Sequence, residues 1–196
     1  GLEQVRLTQT ASAIGIRDYL GVMAWDWGLP GRGKGSSFKY VMESLPKYKA
    51  WGATSYNAEI NANWGTFGPA VYVAARLLRE TQADADAVRD DFFRHAYGAA
   101  AEDMKGLHAL WADSRDLTRQ NLHLWFRRLE QAFATARDES PEVKARLLDM
   151  ASYLHYVRLY ADWESAVQSR NRDRCYEALQ PLLEFTWRTR ERGMVH

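Results

Sequence analysis

The stretch Ala53 to Gly68, ATSYNAEINANWGTFG, decides how this chain is read. Ala53 to Ile60 is short enough for a buried strand, and the Asn, Gly and Trp residues that follow read as a loop. Just upstream, Phe38, Val41, Met42, Leu45 and Tyr48 recur at helical spacing, and Gly52 ends that run. Before this helix stands GLPGRGKGSS, residues 28–37, a loop holding four Gly, one Pro and two Ser. Before the loop, IGIRDYLGVMAWDW (14–27) is rich in β-branched and aromatic residues and reads as a strand running into a loop. Strand, loop, helix and strand make a βαβ unit, because parallel strands need a crossover connection. Ligands of such units gather at the carboxyl ends of the strands, where both aromatic-rich loops fall.

Downstream the pattern is helical almost without a break, with segments predicted over 69–80, 84–97, 99–114, about 115–137, 141–170 and 173–192. Asp84 is a candidate N-cap and Gly98 a stop; Ser140 followed by Pro141 is a cap and first-turn pair, and Asn171 marks the last break. Leu122, Phe126, Leu129, Phe133 and Ala136 form one stripe, and Val143, Leu147, Met150, Leu154, Val157 and Ala161 another. This spacing predicts an antiparallel pair with bundle-like packing.

The predicted fold class is therefore mostly α with a short α/β part. Two strands alone are a poor sheet, so the βαβ unit is expected to be the last strands of a β/α (TIM-like) barrel, residues 1–80. A helical bundle domain over 81–196 follows, and further strands are expected before Gly1.

Composition narrows the function. With 26 Lys and Arg against 25 Asp and Glu, the chain has no field to concentrate nucleic acid or anionic membrane. No apolar run approaches the roughly 20 residues of a membrane span. Hydrophobic residues at 46% are ordinary for a globular domain, whereas eight Trp and ten Tyr are many. Such rings serve cores and sugar clefts alike, since each joins an apolar face to a polar edge.

The chemically suggestive residues cluster early. Glu59 stands at the expected carboxyl end of the second strand beside Asn57, Asn61, Asn63 and Trp64. A carboxylate and amides there would hold sugar hydroxyls while an indole covers the pyranose face. The plainer alternative is that Glu59 caps the helix near Pro69. The first loop offers Asp18, Tyr19, Trp25, Asp26 and Trp27. Two indoles around Asp26 would raise its carboxyl pKa, as a general acid requires, although alternation along a strand would turn some of these groups into packing. Asp26 and Glu59 arise on neighbouring strand ends, compatible with the roughly 5 to 9.5 Å between glycosidase carboxylates. They are the candidate catalytic pair.

Other chemistries lack their signatures. His95, His108, His123, His155 and His196 show no metal-binding spacing and read as bundle residues. Cys175 has no thiol partner, and GRGKGSS is neither a phosphate loop nor a dinucleotide fingerprint, so no metal and no cofactor are expected. Arg188, Arg190 and Arg192 read as a solvated helix end.

The segments WDWGLPG, YNAEINANWGTFGPAVYVAARLLRE, DDFFRHAYGAAAEDM and RERGMVH resemble a bacterial family known as domain of unknown function 4838. The resemblance runs from about Ile14 to His196 and is most specific at Glu59, Asn63, Trp64, Gly65 and the helix over 72–78. It departs at Arg79 and Glu80, where the family has a Trp and an acidic-Pro turn. The family is similar to glycoside hydrolases of the hexosaminidase (family 20) and α-glucuronidase (family 67) type. This implies a β/α barrel with its acid and base carboxylates on earlier strands. Glu59 and Trp64 would then resemble late-strand residues that hold sugar hydroxyls.

The leading expectation is a glycoside-hydrolase-like, carbohydrate-active protein whose ligand contacts are Glu59, Asn61, Asn63, Trp64, Trp25, Trp27 and Tyr19. The alternative is a noncatalytic helical module for interaction or homo-oligomerisation, motivated by the apolar, aromatic-rich helices. Because the sequence starts at Gly1 and not at Met, a removed signal peptide and an extracytoplasmic or secreted setting are compatible with it.

Overall fold

The computed structural model describes residues 14–19, 38–59, 64–80, 82–113 and 116–192. It is mostly helical with a small parallel sheet. Strand β1 (Gly15–Tyr19) leads through α1 (Phe38–Ala50) to β2 (Ser55–Glu59). The strands pair in parallel, from Gly15 opposite Ser55 to Tyr19 opposite Glu59, as expected of a βαβ unit. Helix α1 ends where Gly52 adopts φ 84°, a conformation that only a residue without Cβ enters freely. Gly52 N–H then reaches the Lys49 carbonyl at 2.9 Å, and Ala53 N–H the Tyr48 carbonyl at 3.0 Å, turning the chain into β2.

Helix α2 (Trp64–Arg79) starts five residues before Pro69, where the sequence predicted its beginning. Gly65, Gly68 and Pro69 are poor helix formers, and their propensity is overridden by packing: Phe67, Ala70, Val73 and Ala74 are all buried. Ala70, Val73 and Ala74 join Val41 and Leu45 of α1 and Val88 of α3 (Ala85–Tyr97) in a first apolar cluster. Asp84 caps α3, accepting from the Ala87 N–H at 2.7 Å, and Gly98 closes it with φ 53°. A Cβ on Gly98 would collide with the Glu139 carboxylate. That carboxylate instead accepts the Ala99 N–H at 2.6 Å and seeds the next turn.

After the short 3-10 turn Gly98–Ala100 come α4 (Ala101–Asp113), α5 (Arg119–Thr135), α6 (Pro141–Gln168) and α7 (Arg172–Thr189), then a 3-10 turn at Arg190–Arg192. Helix α5 starts four residues later than the spacing predicted, because Thr118 caps it by accepting from Asn121 N–H at 3.1 Å. Ser140 with Pro141, and Asn171, cap α6 and α7 as expected. Helices α4 and α5 run antiparallel: Trp111 meets Trp125 at one end with ring centroids 6.4 Å apart, and Thr135 donates to Asp103 at 2.8 Å at the other.

The second and larger cluster belongs to this bundle. On α5 the buried line is Leu122, Trp125, Leu129, Ala132 and Ala136; Phe126 and Phe133 of the predicted stripe are only partly buried. The stripe is rotated so that Trp125 sits at its centre, where the ring meets Trp111 edge-on. On α6 the predicted stripe is buried throughout, and Tyr153, Tyr156, Leu159 and Tyr160 are buried as well. A helix apolar on several sides is a central one; α6 has α5 on one flank and α7 on another, His155 meeting Phe185 at 4.7 Å.

Candidate functional site

Parallel strands that start together also end together. The last rung of the sheet pairs Tyr19 with Glu59, so two of the expected ligand residues stand side by side on the backbone at the carboxyl edge. Trp64 begins α2 five residues beyond Glu59, within about 17 Å along a fully extended chain. Trp25, Asp26, Trp27, Asn61 and Asn63 lie outside the described residues.

Pleating separates the two faces of the sheet. Ile16, Asp18, Tyr56 and Ala58 belong to the face that α1 covers: Asp18 is 3% exposed, and Tyr56 and Ala58 pack against the first apolar cluster. The opposite face carries Arg17 and Asn57, which are rung partners and both exposed. Asn57 belongs to the amide-rich stretch around Glu59, and the alternation of SYNAE already puts a polar residue at every second position; Arg17 carries no such signal, because Asp18 next to it is polar too.

Asp18 is in β1, not in the loop where the sequence reading put it. Its Oδ2 accepts from Tyr40 Oη at 2.7 Å and from Tyr56 Oη at 3.2 Å. Tyr48 Oη is 3.1 Å from Tyr40 and 3.5 Å from Asp18. A phenol has one hydrogen, and Tyr40 gives its own to Asp18, so Tyr48 donates to the Tyr40 oxygen over the shorter of its two contacts. The result is a chain from Tyr48 through Tyr40 to Asp18, with Tyr56 joining from the neighbouring strand. Burial, reinforced by the Asp18 charge, holds the Tyr56 phenol far above its ordinary pKa; burial likewise raises that of Tyr40. These phenols stay protonated as donors. The cluster clamps α1 onto both strands one rung below the Tyr19–Glu59 edge, and so fixes the backbone from which that edge departs.

The histidines divide. His95 is exposed and contacts the Asp91 carbonyl at 2.9 Å, and His155 is partly buried against Phe185. His108 is buried between Phe38, Phe93 and Trp111, and neither ring nitrogen has a hydrogen-bond partner among the described residues. Among the described residues no group of three or more His, Cys, Asp or Glu is placed to hold a metal ion, and no helix is long and apolar enough to cross a membrane. Compared with family models, curated proteins and solved structures, the chain matches none of them.

Proposed function

We propose that the βαβ unit is the closing part of a glycoside-hydrolase-like β/α barrel, and that the carboxyl edge of β1 and β2 contributes to a carbohydrate cleft. The observation that carries this reading is the last rung, where Tyr19 and Glu59 are register partners of two parallel strands joined by a helix. An aromatic residue beside a carboxylate, with Trp64 opening the next helix, is the residue chemistry that stacks on a pyranose and accepts its hydroxyl protons. Trp25, Trp27, Asn61 and Asn63 stand in the segments that leave these two strand ends and complete the proposed contacts. Asp26 and Glu59 are its carboxylates. Membership of the domain of unknown function 4838 family is part of this proposal and would put the acid and base on earlier strands, so binding is the property proposed for this chain.

The test is a tryptophan-fluorescence titration of the chain with neutral, N-acetylated and uronic sugars, beside Glu59→Gln. Saturable binding to one sugar class, weakened about tenfold or more in the variant at unchanged melting temperature, is the expected result. Absence of saturation with every class, or equal affinity in the variant, overturns it.

A further inference from the structure

Helix α7 keeps three large apolar side chains in solvent: Tyr176 at 63% exposure, Leu183 at 57% and Trp187 at 69%. At 100° per residue they fall within about 40° of one another, a single stripe about 16 Å long. The stripe is separate from the face on which Leu182 and Phe185 meet the bundle. Exposed rings lined up on one helix face, in a chain with abundant core to bury them, mark an interaction surface.

Charge identifies the partner. Arg172 and Arg190 flank the stripe about 40° to one side, their guanidinium groups lying 5.8 Å over Tyr176 and 4.3 Å over Trp187. On the other side, about 60 to 100° away, run Asp173, Glu177 and Glu184. Beside the seam one flank carries Arg172 and Arg190, the latter also 3.4 Å from its own Glu191, and the other carries Asp173, Glu177 and Glu184, with Arg188 farther round at about 120°. When two copies of such a helix lie parallel, stripe to stripe, the basic flank of each faces the acidic flank of the other; in an antiparallel pair like faces like.

We propose that α7 is the interface of a two-fold, parallel homodimer of this chain. Tyr176, Leu183 and Trp187 form its apolar seam, and Arg172 pairs with Glu177 of the partner subunit. The seam is shorter than a standard interface, so association depends on concentration in the micromolar range.

Sedimentation of the whole chain over that range tests the seam. A monomer–dimer equilibrium is expected, with Leu183→Glu shifting it at least about tenfold toward monomer at unchanged circular dichroism. Glu177→Arg is expected to weaken the dimer and Arg172→Glu in the same chain to restore it. Direction is read by Tyr176→Cys in a Cys175→Ser background: position 176 lies on the seam toward one end of the stripe, so mild oxidation links the copies to each other only if equal positions are adjacent. A strictly monomeric wild type, a dimer indifferent to Leu183→Glu, or no link through position 176 each overturns the proposal.

Discussion

Two buried ionisable groups, one in each apolar cluster, are treated in opposite ways. Asp18 at the sheet is met by the phenols of Tyr40 and Tyr56, with Tyr48 behind Tyr40, so its burial is compensated by donors from α1 and from β2. His108 in the bundle is packed by rings alone, and burial drives its pKa down to about 3. The sheet region is held by directed polar contacts at defined distances; the bundle is held by shape and apolar area, and it tolerates a neutral imidazole as one more ring. A polar clamp specifies orientation, whereas a packed core supplies the greater stability.

Substitutions can break this contrast. The largest effect is expected in the bundle: Trp125→Ala empties a site that is 1% exposed and should cost about 3 to 5 kcal/mol in urea unfolding. If the loss is below about 1 kcal/mol, the bundle is not the stabilising half.

Acid sharpens it next. His108 binds its proton more weakly folded than unfolded, so the unfolded state takes up protons first and stability falls as pH drops from about 6.5 toward about 3. His108→Phe removes that proton uptake along with the unpartnered nitrogens. Between pH 7 and pH 4.5 the variant should gain roughly 2 to 3 kcal/mol on the wild type, measured by urea melts at both values. A constant difference across that interval would mean the imidazole is solvated in the folded state.

The phenols should give the smallest and most graded effects. Tyr40→Phe removes the donor at 2.7 Å and is expected to cost about 1.5 kcal/mol, while Tyr48→Phe, one step removed from Asp18, should cost about 0.5 kcal/mol. Equal losses would mean that Tyr48 bonds Asp18 directly and that no chain of donors exists.

Much of the secondary structure was legible because local chemistry writes it. Asp84, Ser140 with Pro141, and Asn171 satisfy the first free N–H groups of the helices they precede, and each does so in the structure. Gly52 and Gly98 stop helices because each adopts a positive φ. What escaped the sequence has tertiary causes. The early start of α2 depends on Phe67 finding a buried place, and the rotation of α5 depends on Trp125 meeting Trp111. Asp18 reads as a loop residue because a carboxylate inside an aromatic-rich run has no local reason to be buried. Its donors Tyr40 and Tyr56 lie 22 and 38 residues away, and Tyr48, behind Tyr40, lies 30 away.

The sequence by itself determined that the chain is mostly helical, that two strands flank the first long helix, and that aromatic and carboxylate residues collect where those strands end. It did so through periodicity, caps and glycines, all of which act within a few residues. Only the tertiary structure decided that Tyr19 and Glu59 share a rung, that three tyrosines converge on Asp18, and that Tyr176, Leu183 and Trp187 are left uncovered on α7. Register, convergence and exposure depend on which distant segments fill the space around a residue, and no local pattern encodes that.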